Sequence, residues 1–131
     1  MEFLLSRSLS GRTVLLVEDE FLILLDLQMV LEEQGAEVVT AGSVAEGIRA
    51  TDTKEDLDAA VLDVRLPDGE VFPVAEKLTE RDVPIVFHSG HARIEDLTER
   101  FPKAKALSKP APERVLVDVL MQQFGRETME R

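Results

Sequence analysis

The sequence predicts an α/β fold, a doubly wound, five-stranded parallel sheet in three layers, and two observations predict it. Short aliphatic runs alternate five times with stretches of helical pattern. The first run, Val14-Leu15-Leu16-Val17, is apolar at consecutive positions, the mark of a strand buried on both faces, and the connections between runs are short enough for crossover helices. A length of 131 residues suits one domain with a substantial core.

Taken in order, residues 1–11 read as a flexible leader. Its Phe3-Leu4-Leu5 is too short for a signal-peptide core. Thr13 to Val17 is the first strand. Glu20 to Gln34 follows as a helix, with Gly35 as its stop. Ala36 to Thr40 is the second strand, and Ser43 with Glu46 forms a capping box for a helix reaching Thr51. Asp58 to Leu62 is the third strand, ending at Asp63. Leu66-Pro67-Asp68-Gly69 is a turn signal, and a third helix runs to Glu80. Val83 to Phe87 is the fourth strand, followed by a polar loop, His88-Ser89-Gly90-His91, and a short helix from Ile94 to Arg100. Ala104 to Leu107 is the fifth strand, closed by Lys109-Pro110. Pro112 to Phe124 is the last helix, with Val115, Leu116, Val119 and Leu120 at helical spacing. The domain therefore spans 12–125, and 126–131 is a polar tail with no room for an effector module.

Composition narrows the function. Without cysteine there is no disulfide, thiolate metal site or cysteine nucleophile. A formal charge of −11 argues against a nucleic-acid binder, and no segment is long and apolar enough to span a bilayer. A cytoplasmic domain contacting neither nucleic acid nor membrane is expected.

The chemistry gathers at the strand ends. Glu18, Asp19 and Glu20 follow the first strand, Asp63 the third, Ser89 the fourth and Lys109 the fifth. In a parallel sheet these ends share one edge, where open α/β folds place their sites. Bunched carboxylates there repel one another, and a hard divalent cation with oxygen ligands would hold them together. Singly, each residue has a plainer role: helix-opening acids, a loop aspartate, a helix cap, a solvated lysine. Their convergence from four strands favours a site.

Val17-Glu18-Asp19-Glu20, Leu62-Asp63-Val64-Arg65-Leu66-Pro67-Asp68-Gly69, Ser89 and Lys109-Pro110 together resemble the receiver domains of two-component response regulators, from about Arg12 to Phe124. The resemblance implies a flavodoxin-like receiver fold with strand order 2-1-3-4-5. It implies that Glu18, Asp19, Asp63 and the backbone carbonyl of Arg65 hold Mg²⁺. Asp63 would then accept a phosphoryl group from a sensor histidine kinase or a histidine phosphotransfer protein. Lys109 would neutralise phosphoryl oxygens, and Ser89 would be the switch hydroxyl. Lys109-Pro110 would be cis. Such a protein is no enzyme beyond catalysing its own phosphorylation and dephosphorylation, and is a monomer or a weak phosphorylation-dependent dimer. It signals through protein contacts or serves as a phosphate relay or sink.

The sequence departs from the common pattern at Ala106, where most receivers carry an aromatic switch residue. Phe87 and His91, flanking Ser89, offer a substitute. The loop resembles the "FAT GUY" subgroup of stand-alone receivers, with His88 and Ser89 in place of its alanine and threonine. Arg65 and His91 occupy the places that in the family tune phosphoryl lifetime. On the first helix, Ile23, Leu27, Val30 and Leu31 form the core arc, while Phe21, Leu22, Leu25 and Met29 form an outer stripe. The resemblance implies partner docking there; cover by residues 1–12 would explain the stripe equally. Two other readings are a small Mg²⁺-dependent phosphohydrolase, for which the acid pair after the first strand is wrong, and a constitutively binding pseudo-receiver. No nucleotide-binding glycine motif occurs.

Overall fold

A computed structural model describes residues 8–90 and 92–129. Strands β1 (Thr13–Val17), β2 (Glu37–Ala41), β3 (Ala59–Leu62), β4 (Ile85–Ser89) and β5 (Lys105–Ser108) form one parallel sheet in the order β2-β1-β3-β4-β5. Helices α1 (Phe21–Glu33), α2 (Val44–Thr53), α3 (Phe72–Glu80), α4 (Ile94–Arg100) and α5 (Glu113–Met129) fill the connections and follow β5. The order is the 2-1-3-4-5 expected from the resemblance.

The consecutive apolar residues of β1, β3 and β4 serve two cores, because successive side chains leave opposite faces of a strand. Leu15, Val17, Ala60, Leu62, Ile85 and Phe87 meet α2, α3 and α4 on one face. Val14, Leu16, Ala59, Val61 and Val86 meet Leu27 and Leu31 of α1 and Leu116, Leu120 and Phe124 of α5 on the other. α1 ends in a Schellman motif: Gly35 at φ +97° lets its N–H reach Glu32 O at 2.9 Å and the Ala36 N–H reach Leu31 O at 3.1 Å. Ser43 Oγ caps α2 by accepting from Glu46 N at 3.1 Å. The reciprocal bond runs from Gly42 N to Glu46 Oε1, one residue earlier than a strict capping box.

Several boundaries differ from expectation for identifiable reasons. Of the expected leader, residues 8–11 are described, and they are anchored. Leu9 is fully buried against the α1–α5 core, and its N–H donates to Gln34 O at 2.8 Å. Strand β4 starts at Ile85 because the Val83 N–H closes α3 on Leu78 O, and Pro84 has no N–H to give. It runs on to Ser89, since His88 and Ser89 pair with Leu107 and Ser108 of β5. β5 starts at Lys105 because the Ala104 N–H is spent on Phe101 O. α5 continues through Gly125 to Met129, so the expected tail is helical over 126–129. A helical glycine costs only about 1 kcal/mol against alanine, and the residues after it accept helix. Among the described residues no helix is long and apolar enough to cross a membrane.

Candidate functional site

The parallel register brings the C-terminal ends of β1, β3, β4 and β5 to one edge. The main chain fixes each position before any side chain acts. The Glu18 N–H donates to Ala41 O, that of Asp63 to Val17 O and that of Lys109 to Ser89 O, each at 2.9 Å. The Lys109-Pro110 peptide is cis.

Lys109 joins the ends. Its Nζ lies 2.9 Å from Glu18 Oε1 and 3.0 Å from Asp63 Oδ2, and 3.8 Å from Glu20 Oε1. Glu18 and Asp63 are buried, whereas Asp19 and Glu20 are exposed. Glu18 Oε2 also accepts from the Glu20 N–H at 3.1 Å. Burial holds the Glu18 carboxyl above its ordinary range, and the Lys109 hydrogen bond offsets this only in part. Burial pulls the Lys109 ammonium down, but hydrogen bonds to Glu18 and Asp63 outweigh it, so Lys109 stays charged with a raised pKa.

Glu18, Asp19 and Asp63 each offer an oxygen, all within 4.8 Å of one another, the one such acidic group among the described residues. An all-oxygen, anionic donor set suits a hard divalent cation. Beside it lies a cleft of about 320 Å³ lined by Asp19, Glu20, Asp63, Arg65, Leu66, Pro67, Gly90 and Lys109. Arg65, exposed, opens a two-residue antiparallel ribbon in which Arg65 pairs with Glu70 and Leu66 with Gly69. Glu20, read from the sequence as a helix-start acid, is therefore also part of the charge around the cleft.

Ser89 closes β4 as a buried residue, not a loop residue, and its Oγ accepts from Ala92 N at 3.1 Å. Phe87 is a fully buried strand residue whose ring lies 5.5 Å from that of Phe101, so it belongs to the core. His91 lies outside the described residues, as do residues 1–7 of the leader. Ala106 is half-buried opposite Phe87. On α1 the outer stripe is free of cover among the described residues: Phe21 is 70% exposed, Leu22 73%, Met29 52% and Leu25 38%.

Two residues escaped the sequence reading. Asp68, read only as part of a turn, caps α2 from a distance: its carboxylate accepts from Val44 N at 2.8 Å and Ala45 N at 3.1 Å, which holds its pKa low. His88, read as a loop residue, is buried at the end of β4. The extended run Ile85-Val86-Phe87-His88-Ser89 was the available sign that the strand continues.

The family model for the response regulator receiver domain matches residues 14–121. Among the curated proteins similar to the chain are two regulators. PdtaR, a transcriptional regulatory protein of Mycobacterium tuberculosis, is 34% identical over 100 residues, 74% of this chain and 47% of that protein. RegA, a photosynthetic apparatus regulatory protein of Cereibacter sphaeroides, is 35% identical over 116 residues, 86% of this chain and 62% of that protein. The chain thus spans about half to three-fifths of these relatives. Among solved structures, a CheY-like response regulator receiver domain protein from Methanospirillum hungatei superposes with a TM-score of 0.82 at 25% identity, covering 93% of this chain and 100% of that one. With this match added to the sheet order and the grouping of strand-end residues, the chain belongs to the response regulator receiver domain family.

Proposed function

We propose that the chain accepts a phosphoryl group on Asp63 from the phosphohistidine of a sensor histidine kinase or a histidine phosphotransfer protein. The observation that carries this reading is the buried Asp63 carboxylate, gripped by Lys109 at 3.0 Å beside Glu18 and Asp19. Phosphoryl transfer asks mainly for positioning and charge neutralisation. An Asp63 oxygen attacks phosphorus, the phosphorus–nitrogen bond breaks, and its electron pair leaves with the donor imidazole. The Lys109 ammonium turns from a carboxylate partner to a phosphoryl partner, and the Ser89 hydroxyl donates to a phosphoryl oxygen. Glu18, Asp19, Asp63 and the Arg65 carbonyl would hold Mg²⁺. Bound there, Mg²⁺ supplies positive charge against the phosphoryl oxygens.

The chain's chemistry is confined to its own phosphorylation and dephosphorylation, and it acts in the cytoplasm through protein contacts or as a relay or sink. Partners dock on the α1 stripe of Phe21, Leu22, Leu25 and Met29, whose aromatic and methionine anchors suit an interface. Arg65 and His91 tune how fast water removes the phosphoryl group. Replacing either changes the adduct's decay rate without abolishing its formation; decay rates unchanged from wild type in both variants overturn that role.

The test of the acceptor is incubation with Mg²⁺ and a small-molecule phosphodonor, beside Asp63→Asn. An acid-stable, base-labile adduct in the wild type alone is expected. No adduct in the wild type overturns the reading and favours a constitutively binding pseudo-receiver.

A further inference from the structure

His88 is a buried titratable side chain that the proposed chemistry does not use. Along β4, Ile85 and Phe87 face the α2–α4 core and Val86 faces the α1–α5 core. By the two-residue period of a strand, His88 points to the Val86 side. Asp63 follows Val61 of β3 to that same side, and the pairing of Leu62 with Phe87 makes Asp63 and His88 lateral neighbours at the sheet edge.

The imidazole Nε2 accepts from the Ala111 N–H at 3.4 Å, while Nδ1 has no partner among the described residues. Ala111 lies two residues past Lys109, and the intervening Pro110 has no N–H. The turn Lys109-Pro110-Ala111 therefore has two main-chain donors, and consecutive residues of β4 take both. Ser89 O accepts from Lys109 N at 2.9 Å, and His88 Nε2 accepts from Ala111 N. An imidazole accepting at Nε2 is neutral with its hydrogen on Nδ1, so the turn is held at the expense of a buried donor that has no acceptor among the described residues. Burial first, then the Lys109 charge, keep His88 neutral against the opposing pull of Asp63.

We propose that His88 is a positioning residue for Lys109, its Nδ1–H tautomer clamping the turn through the Ala111 N–H so that the ammonium stands ready at Asp63. The proposal rests on the reading of Asp63 as acceptor and Lys109 as its cationic partner. A lysine stem is flexible, so where the ammonium rests depends on how firmly its backbone is held. The clamp also ties Lys109 to the strand that carries Ser89.

The experiment compares wild type, His88→Gln, His88→Asn and His88→Leu. Glutamine sets an acceptor oxygen near the place of Nε2, asparagine reaches only as far as Nδ1, and leucine offers none. Nitrogen NMR of the unphosphorylated wild type is expected to show protonated Nδ1 and bare Nε2, the reverse of the tautomer that prevails in free histidine. Phosphorylation by a small-molecule donor with Mg²⁺ is expected to slow about tenfold in His88→Leu and His88→Asn and to recover to within about twofold in His88→Gln. A wild-type rate in the leucine variant, a glutamine variant as slow as asparagine, or the opposite tautomer each overturns the proposal. If leucine does not fold, the glutamine–asparagine pair decides. If the wild type takes no phosphoryl group, the acceptor reading fails. The tautomer, and faster Ala111 amide exchange in His88→Asn than in His88→Gln, then still decide whether His88 clamps the turn.

Discussion

Replacing Lys109 by methionine tests the electrostatics of the site most directly. Methionine keeps an unbranched apolar stem and removes the charge together with the N–H donors that reach Glu18 and Asp63. The Lys109 ammonium lies 2.9 Å from Glu18 and 3.0 Å from Asp63, and these carboxylates have oxygens within 4.8 Å of each other. Two like charges at that distance repel by about 3.5 kcal/mol at an effective dielectric of 20. Protonation relieves part of this, because the Glu18 carboxyl is already raised by burial. The expected net loss at pH 8 is about 2–3 kcal/mol, or roughly 6–9 °C in Tm for a chain of this length. The sign of the pH effect follows from the direction of the shift. A carboxyl whose folded pKa lies above 4.5 binds a proton more readily folded than unfolded, so the variant regains stability as pH falls through the raised value, fully below 4.5. Mg²⁺ is expected to restore more than half of the loss, since a cation that binds only the folded state stabilises it by mass action. Adding Glu18→Gln to Lys109→Met should restore stability in the same way. Urea and thermal unfolding at pH 8 and pH 5, with and without Mg²⁺, measure all of this. A variant that melts like wild type, or whose loss ignores acid, Mg²⁺ and Glu18→Gln alike, refutes the reasoning.

Three further outcomes are expected. Leu9→Ala should cost about 2–4 kcal/mol in urea denaturation, because the side chain is fully buried in the α1–α5 core; a loss below about 0.5 kcal/mol would return Leu9 to a loose leader. Asp68→Ala should destabilise at neutral pH. The Asp68 pKa is lowered by the Val44 and Ala45 N–H groups, so its contribution is present in full above 3.8 and lost as pH falls through the folded value. The gap between wild type and variant should therefore close in acid, and a pH-independent gap would count against the cap. Phe21→Ala, Leu25→Ala and Met29→Ala should leave stability within about 0.5 kcal/mol, slow transfer from a phosphohistidine protein, and spare transfer from a small-molecule donor. Intact protein-to-protein transfer would remove the stripe from the docking surface.

What the sequence revealed and what it hid divide along a physical line. Strands buried on both faces write themselves as apolar runs, and a parallel sheet sends their ends to one edge, so the grouping of Glu18, Asp19, Asp63 and Lys109 was legible in the spacing alone. Strand limits were less legible, because they depend on where N–H groups are spent; β4 starts after Pro84 and reaches Ser89 through its pairing with β5. Contacts between distant loops left no periodic trace. The Asp68 cap of α2 spans 24 residues and the His88–Ala111 bond 23, and no pattern in either segment announces them.

Under the proposed function, a change at Ser89 must be transmitted without an aromatic residue at 106. Phe87 carries a ring in register with Ala106, but it is fully buried and sits in a column of rings. It lies 5.5 Å from Phe101, which stacks 6.0 Å from Phe72; the Arg100 guanidinium lies 4.2 Å over Phe72 and pairs with Glu76 at 3.0 Å. Swinging Phe87 out would forfeit about 0.5–1.5 kcal/mol for its ring pair. It would also forfeit much of the roughly 3–5 kcal/mol that a buried phenylalanine contributes. A charge-assisted hydrogen bond from Ser89 to a phosphoryl oxygen supplies only about 1.5–3 kcal/mol. Swinging the Phe87 ring out therefore costs more than that hydrogen bond would provide. The main chain is the cheaper route: Ser89 holds the Lys109 N–H through its carbonyl at 2.9 Å and the Ala92 N–H through its Oγ at 3.1 Å. A shift of Ser89 thus acts at once on the turn that carries Lys109 and on the segment that leads into α4.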